Sequence, residues 1–92
     1  MGNSTSVDLP ENLTIATVEA LHEQLDPHAV GSQDVVLNGA SVERADTAGL
    51  QTLYAFHQAL KAHNAEMSWS ATSPALIDAA ENLGLKEHLA LD

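Results

Sequence analysis

The sequence has no cysteine, which removes disulfide frameworks and thiolate metal sites from consideration. Aromatic residues are nearly as scarce, with one Trp, one Tyr and one Phe. A core built from this chain must be aliphatic and rich in alanine. Basic residues number three against thirteen acids, for a formal net charge of -10. That sign repels nucleic-acid phosphates and anionic lipid, so no nucleic-acid partner is expected, and a protein partner with a basic face is favoured. Solubility alone accounts for most of the charge. No apolar run approaches the ~20 residues of a membrane span. The N-terminus also lacks the charged and apolar segments of a secretory signal. No direct membrane insertion and a cytoplasmic location are the resulting expectations.

Ninety-two residues with a 45% hydrophobic fraction make one small globular domain with a modest core. Residues 1–5 are polar and expected to be disordered. Ser6 to Leu9 reads as a short strand stopped by Pro10. Leu13, Val18, Leu21, His22 and Leu25 recur at helical spacing, with Thr17 as N-cap, and Asp26-Pro27 is expected to end that helix. His28 to Asp34 is a loop. Val35-Val36-Leu37, between Asp34 and Asn38-Gly39, reads as a central parallel strand buried on both faces.

A second helix is expected from about Ala48 to His63, with Leu50, Leu53 and Leu60 inward and Asn64 at its C-terminal cap. Glu66 to Ala71 alternates, with Met67, Trp69 and Ala71 on one side, as in a strand with one buried face. Ser73-Pro74 starts a third helix with inner face Leu76, Ile77, Ala80 and Leu83, closed by Gly84. Lys86 to Leu91 is a short tail. The order β-α-β-α-β-α predicts an α/β fold with an about four-stranded, mostly parallel sheet and helices packed around it.

The chain is organised around Ala45-Asp46-Thr47-Ala48-Gly49-Leu50, a strand-to-helix junction. It sets a hydroxyl, preceded by an acid, at a helix start, where unpaired N–H groups favour anions. Asp46 and Thr47 serve equally as an N-cap and its neighbour. No phosphate-binding glycine loop, dinucleotide motif or nucleophile elbow is present. His22-Glu23 lacks the second histidine of a zinc-binding helix, and His57 and His63 lie on different helix faces. Neither metal nor cofactor is expected. No base other than Asp46 lies near Thr47 in sequence, so no catalytic residues are assigned and no enzymatic activity is expected.

Four segments occur together in a telling order: Leu9 to Thr14, Val35 to Gly39, Ala45 to Leu50, and Ser73 to Leu76. They resemble a STAS domain, the module of anti-sigma-factor antagonists, over about residues 7 to 91. Asp46-Thr47-Ala48-Gly49-Leu50 matches that family's D-[ST]-[SA]-G-L. The chain is most similar to the short branch. That branch includes the STAS subunit of the lipid-asymmetry ABC transporter and chemotaxis-associated STAS proteins. The resemblance implies a single STAS domain over residues 6–92, with Thr47 as acceptor of phosphate from a partner kinase. It also implies a partner-binding surface at Arg44, Asp46, Thr47, Ala48, Gly49 and Gln51.

Two functions stand side by side. One is a non-enzymatic regulatory module in signal transduction, docking a kinase-like anti-sigma factor or a chemotaxis or histidine-kinase system. The other is a constitutive regulatory subunit docking an ABC-transporter ATPase. A small-ligand or lipid-binding domain is the weaker third.

Overall fold

The structure, a computed structural model, describes residues 4–30 and 33–91. Eight elements follow in order: β1 (Ser4–Asp8), β2 (Asn12–Leu13), α1 (Val18–Ala29), β3 (Asp34–Gly39), β4 (Arg44–Ala45), α2 (Thr47–Ala62), β5 (Met67–Thr72) and α3 (Pro74–Asn82). The main sheet has three strands in the order β1-β3-β5, all parallel. A separate parallel ladder of two-residue strands joins β2 to β4. The expected α/β fold with parallel pairing is present, with the strands divided between two sheets.

β3 is central, as its apolar run implies, but it is not buried on both faces. Val35, Leu37 and Gly39 are buried while Asp34, Val36 and Asn38 are only half-buried. The cause lies in the neighbouring strands. One face stacks Val7, Leu37 and Trp69 in a row. On the other, Val36 lies between exposed Ser6 and Ser68. The sheet therefore has an aliphatic face turned to the core and a polar face turned to water, the pattern of a one-sided packing layer.

The core is leucine. Leu13, Leu21, Leu25, Leu37, Leu50, Leu53, Leu60, Leu76 and Leu89 are all but inaccessible. α2 supplies three of them and packs on α1 through the Leu21 and Leu25 side of that helix. Ser73 caps α3, its hydroxyl accepting from Leu76 N–H at 3.1 Å, with Pro74 at the first helical position. Gly84, at φ 71°, turns the chain away past the end of α3, in the left-handed region where a side chain is costly.

Several expected boundaries shift. β1 begins at Ser4, inside the stretch expected to be disordered, because Ser4 and Thr5 pair with Asp34 and Val35. Met1 to Asn3 lie outside the described residues, as do Gly31 and Ser32 of the loop before β3 and Asp92. α1 does not stop at Asp26-Pro27 but runs through Pro27 to Ala29. Proline there, in the last turn, removes only the bond to the carbonyl of Glu23, an exposed residue. Thr17 is the N-cap of α1, yet its hydroxyl makes no cap bond. It points back to the carbonyls of Asn12 and Thr14, at 2.9 and 3.1 Å. Leu83, expected on the inner face of α3, is instead its C-cap, just past the last helical residue, and is 41% exposed.

The tail after Gly84 is anchored. Leu89 and Leu91 are buried. Trp69 Nε1–H donates to Leu89 O at 2.7 Å, and the His57 Nδ1 ring atom lies 2.9 Å from His88 O.

Candidate functional site

The junction between β4 and α2 is built by Asp46. It is the N-cap of α2, in extended backbone, with its Oδ1 accepting from Gly49 N–H at 3.0 Å. Its Oδ2 accepts from Ile15 N–H, also at 3.0 Å, and its own N–H donates to Leu13 O at 3.0 Å. One aspartate thus ties the β2–α1 loop to the first turn of α2. The N–H of Gly49 foremost, and then that of Ile15, hold the Asp46 carboxyl below the usual carboxylate range.

Gly49 explains how close the two segments come. It is buried, and a side-chain carbon added there would overlap the backbone carbonyl and Cβ of Leu13. The close approach that a glycine permits is therefore made within this chain, by β2. The ladder alongside it seals the corner: Glu43 N–H and Arg44 N–H both donate to Glu11 O, at 2.7 and 3.1 Å.

Thr47, the first residue of α2, is exposed. Among the described residues no hydrogen bond engages its hydroxyl. Arg44 and Gln51 are exposed beside it and Ala48 is half-buried. Arg44, the only arginine of the chain, forms no ion pair among the described residues. Leu53, Phe56 and Leu60 are buried on the far side of the helix, which leaves Thr47 outward. The structure thus brings Arg44, Asp46, Thr47, Ala48 and Gln51 to one corner and sets Gly49 beneath them.

Two contributors were not legible in the sequence. Ile15 is 70% exposed although the Asp46 carboxylate pins its backbone. It lies in a loop with no periodicity, and the two-residue ladder that fixes it leaves no pattern to read. A groove of about 480 Å³ also opens between Glu43–Thr47 and the Ala75, Ala79 and Leu83 side of α3. The exposed leucine just past α3 is the one sequence signal for it, and periodicity assigned that residue to the core.

Chemically the corner offers a free hydroxyl, a helix N-terminus and an ionised acid already committed to two N–H groups. It offers no base poised on the hydroxyl. No group of three or more His, Asp or Glu able to hold a metal occurs among the described residues. No helix among them is long and apolar enough to cross a membrane.

Comparison with known proteins fits this geometry. Searches of curated proteins and of solved structures return no significant match. A family model described as Mlab, STAS domain, matches residues 1–91. With the D-T-A-G-L corner placed at the N-terminus of α2 and the match spanning nearly every residue, the chain belongs to the STAS domain family.

Proposed function

We propose that this chain is a regulatory module that acts by binding a protein partner through the Thr47 corner, and that phosphate on Thr47 releases the partner. The observation that carries the reading is the position of Thr47. It is exposed at the first turn of α2 and outside every contact that holds the corner together. The surface next to it supports docking. From Thr47 to Ala65 the chain carries no acid, although its formal charge is -10, so α2 offers a long acid-free approach.

A phosphate on Thr47 adds roughly -1.5 to -2 charges at a helix N-terminus. The first-turn N–H groups and the helix dipole tolerate it, so the fold persists. Arg44 is within the same exposed corner to meet the new charge, and Asp46 repels it. The effect falls on the partner surface, where charge and bulk arrive together. The fixed-subunit reading, with a transporter ATPase as the partner, draws on threonine at the acceptor position. In it the Thr47 hydroxyl bonds a permanent partner.

Substitution separates the two. Binding is measured by pull-down with the protein encoded by the neighbouring gene, after circular dichroism shows each variant folded. The switch predicts that Thr47→Ala binds as well as the wild type and Thr47→Glu does not bind. If Thr47→Ala loses binding as fully as Thr47→Glu, the switch is wrong and the fixed contact is favoured. Purified protein that turns over nucleotide or phosphoester, with the activity lost in Thr47→Ala, would refute the non-enzymatic reading.

A further inference from the structure

Arg44 is the one arginine in a chain with thirteen acids. Its backbone is fixed: it pairs with Asn12 in the β2–β4 ladder, and its N–H donates to Glu11 O at 3.1 Å. Its side chain is exposed and lines the groove of about 480 Å³ beside α3, together with Glu43, Asp46, Thr47 and Asn82. Two carboxylates thus share a groove with one guanidinium. Among the described residues, Arg44 forms an ion pair with neither. Both Asp46 oxygens are taken by backbone N–H groups, those of Gly49 and Ile15. Glu43, Thr47 and Asn82 are exposed, and among the described residues their side chains make no hydrogen bond.

The far wall belongs to α3. Ala75 and Ala79 leave the space open with their short side chains, and Asn82 stands about one turn further along. Asp78 and Glu81 of the same helix are exposed and do not line the groove, so α3 brings no charge into it. A guanidinium presents a planar fork of N–H donors that matches two phosphate oxygens, and a carboxamide adds another donor.

We propose, on the reading that Thr47 carries the switch phosphate, that Arg44 and Asn82 receive that phosphate within the groove. The transfer moves the γ-phosphoryl group of ATP to Thr47 Oγ1. A new O–P bond forms as the bond to ADP breaks, and the hydroxyl proton leaves. The anion arrives covalently at the groove wall, so the chain itself fixes what occupies the site. The modified side chain then ties the β4–α2 corner to α3 and takes up surface the partner would meet. Without Arg44, the same phosphate faces Glu43 and Asp46 with no cation in the groove.

Phosphorus NMR of the full chain, with phosphothreonine incorporated at position 47 during translation, tests this without kinase or partner. The phosphate is expected to titrate at lower pH than phosphothreonine in an unstructured peptide, by roughly half a pH unit, the two carboxylates and solvent limiting the effect. Arg44→Gln is expected to reverse the sign, because Glu43 and Asp46 remain. Glu43→Gln should lower the midpoint further, and Asn82→Ala should raise it by less than Arg44→Gln does. The only arginine gives a single side-chain Nε–H resonance, expected to move with pH at the midpoint of the phosphorus signal.

A phosphate midpoint that Arg44→Gln leaves unmoved, in a variant shown folded by circular dichroism, overturns the proposal. So does an Nε–H resonance indifferent to ionisation of the phosphate. If Arg44→Gln does not fold, that resonance in the otherwise unaltered chain decides. Partner binding is a separate readout. A phosphorylated chain that keeps its partner refutes the switch and leaves the midpoint standing. An ordinary midpoint with the partner lost refutes this contact and leaves the switch standing.

Discussion

Asp46 and Gly49 are the residues on which the corner depends, and both act through backbone contacts. Asp46 supplies a carboxylate to two N–H groups from different segments. Gly49 supplies the missing side chain that lets those segments touch. Gly49→Ala places a methyl group against the Leu13 carbonyl, and overpacking of this kind costs roughly 1–3 kcal/mol. A denaturant titration should show that loss while Thr47→Ala, at an exposed position, stays within about 0.5 kcal/mol of the wild type. The Asp46 carboxyl sits below the usual carboxylate range because the N–H groups of Gly49 and Ile15 favour its charged form. A lowered folded-state value means that its contribution is present at neutral pH and is lost only as pH falls through that lowered value. NMR titration should therefore find the Gly49 and Ile15 amide shifts moving together, with a midpoint more acidic than an ordinary aspartate. Independent midpoints, or one in the ordinary range, would contradict the shared clamp.

At the scale of elements, the fold divides into parts the sequence states and parts it does not. α2 and α3 were legible because both carry leucine at helical spacing and one has a Ser-Pro start. Ser73→Ala removes the acceptor for Leu76 N–H and should cost about 1 kcal/mol, measured as a lowered midpoint of thermal or chemical unfolding. β5 was legible from strict alternation. β2 and β4 were not, because two paired residues carry no period. Val35-Val36-Leu37 misled because an unbroken apolar run signals two covered faces, and the serines of the flanking strands, which leave Val36 half open, become its neighbours only in the folded sheet. Pro27 misled because proline forbids one hydrogen bond without forbidding the next turn, and near a helix end that bond is cheap to lose. The inward side of α2 was legible from its apolar period, and Thr47 falls outside that buried side. Ile15 and the groove beside α3 join Thr47 only through tertiary contact, so no local pattern contained them.

The whole molecule joins a leucine core to a strongly acidic surface interrupted by an acid-free α2, whose first residue is an exposed threonine. In the function proposed above, Thr47 controls partner binding without taking part in the fold. The most direct test is to incubate the wild-type protein with the partner kinase and ATP. Intact mass, site of modification, unfolding midpoint and partner binding are then measured on the same sample. One phosphate on Thr47, an unfolding midpoint close to that of the unmodified protein, and loss of partner binding are expected. A phosphorylated Thr47 that still binds its partner undiminished, or a domain that unfolds when modified, would contradict that control.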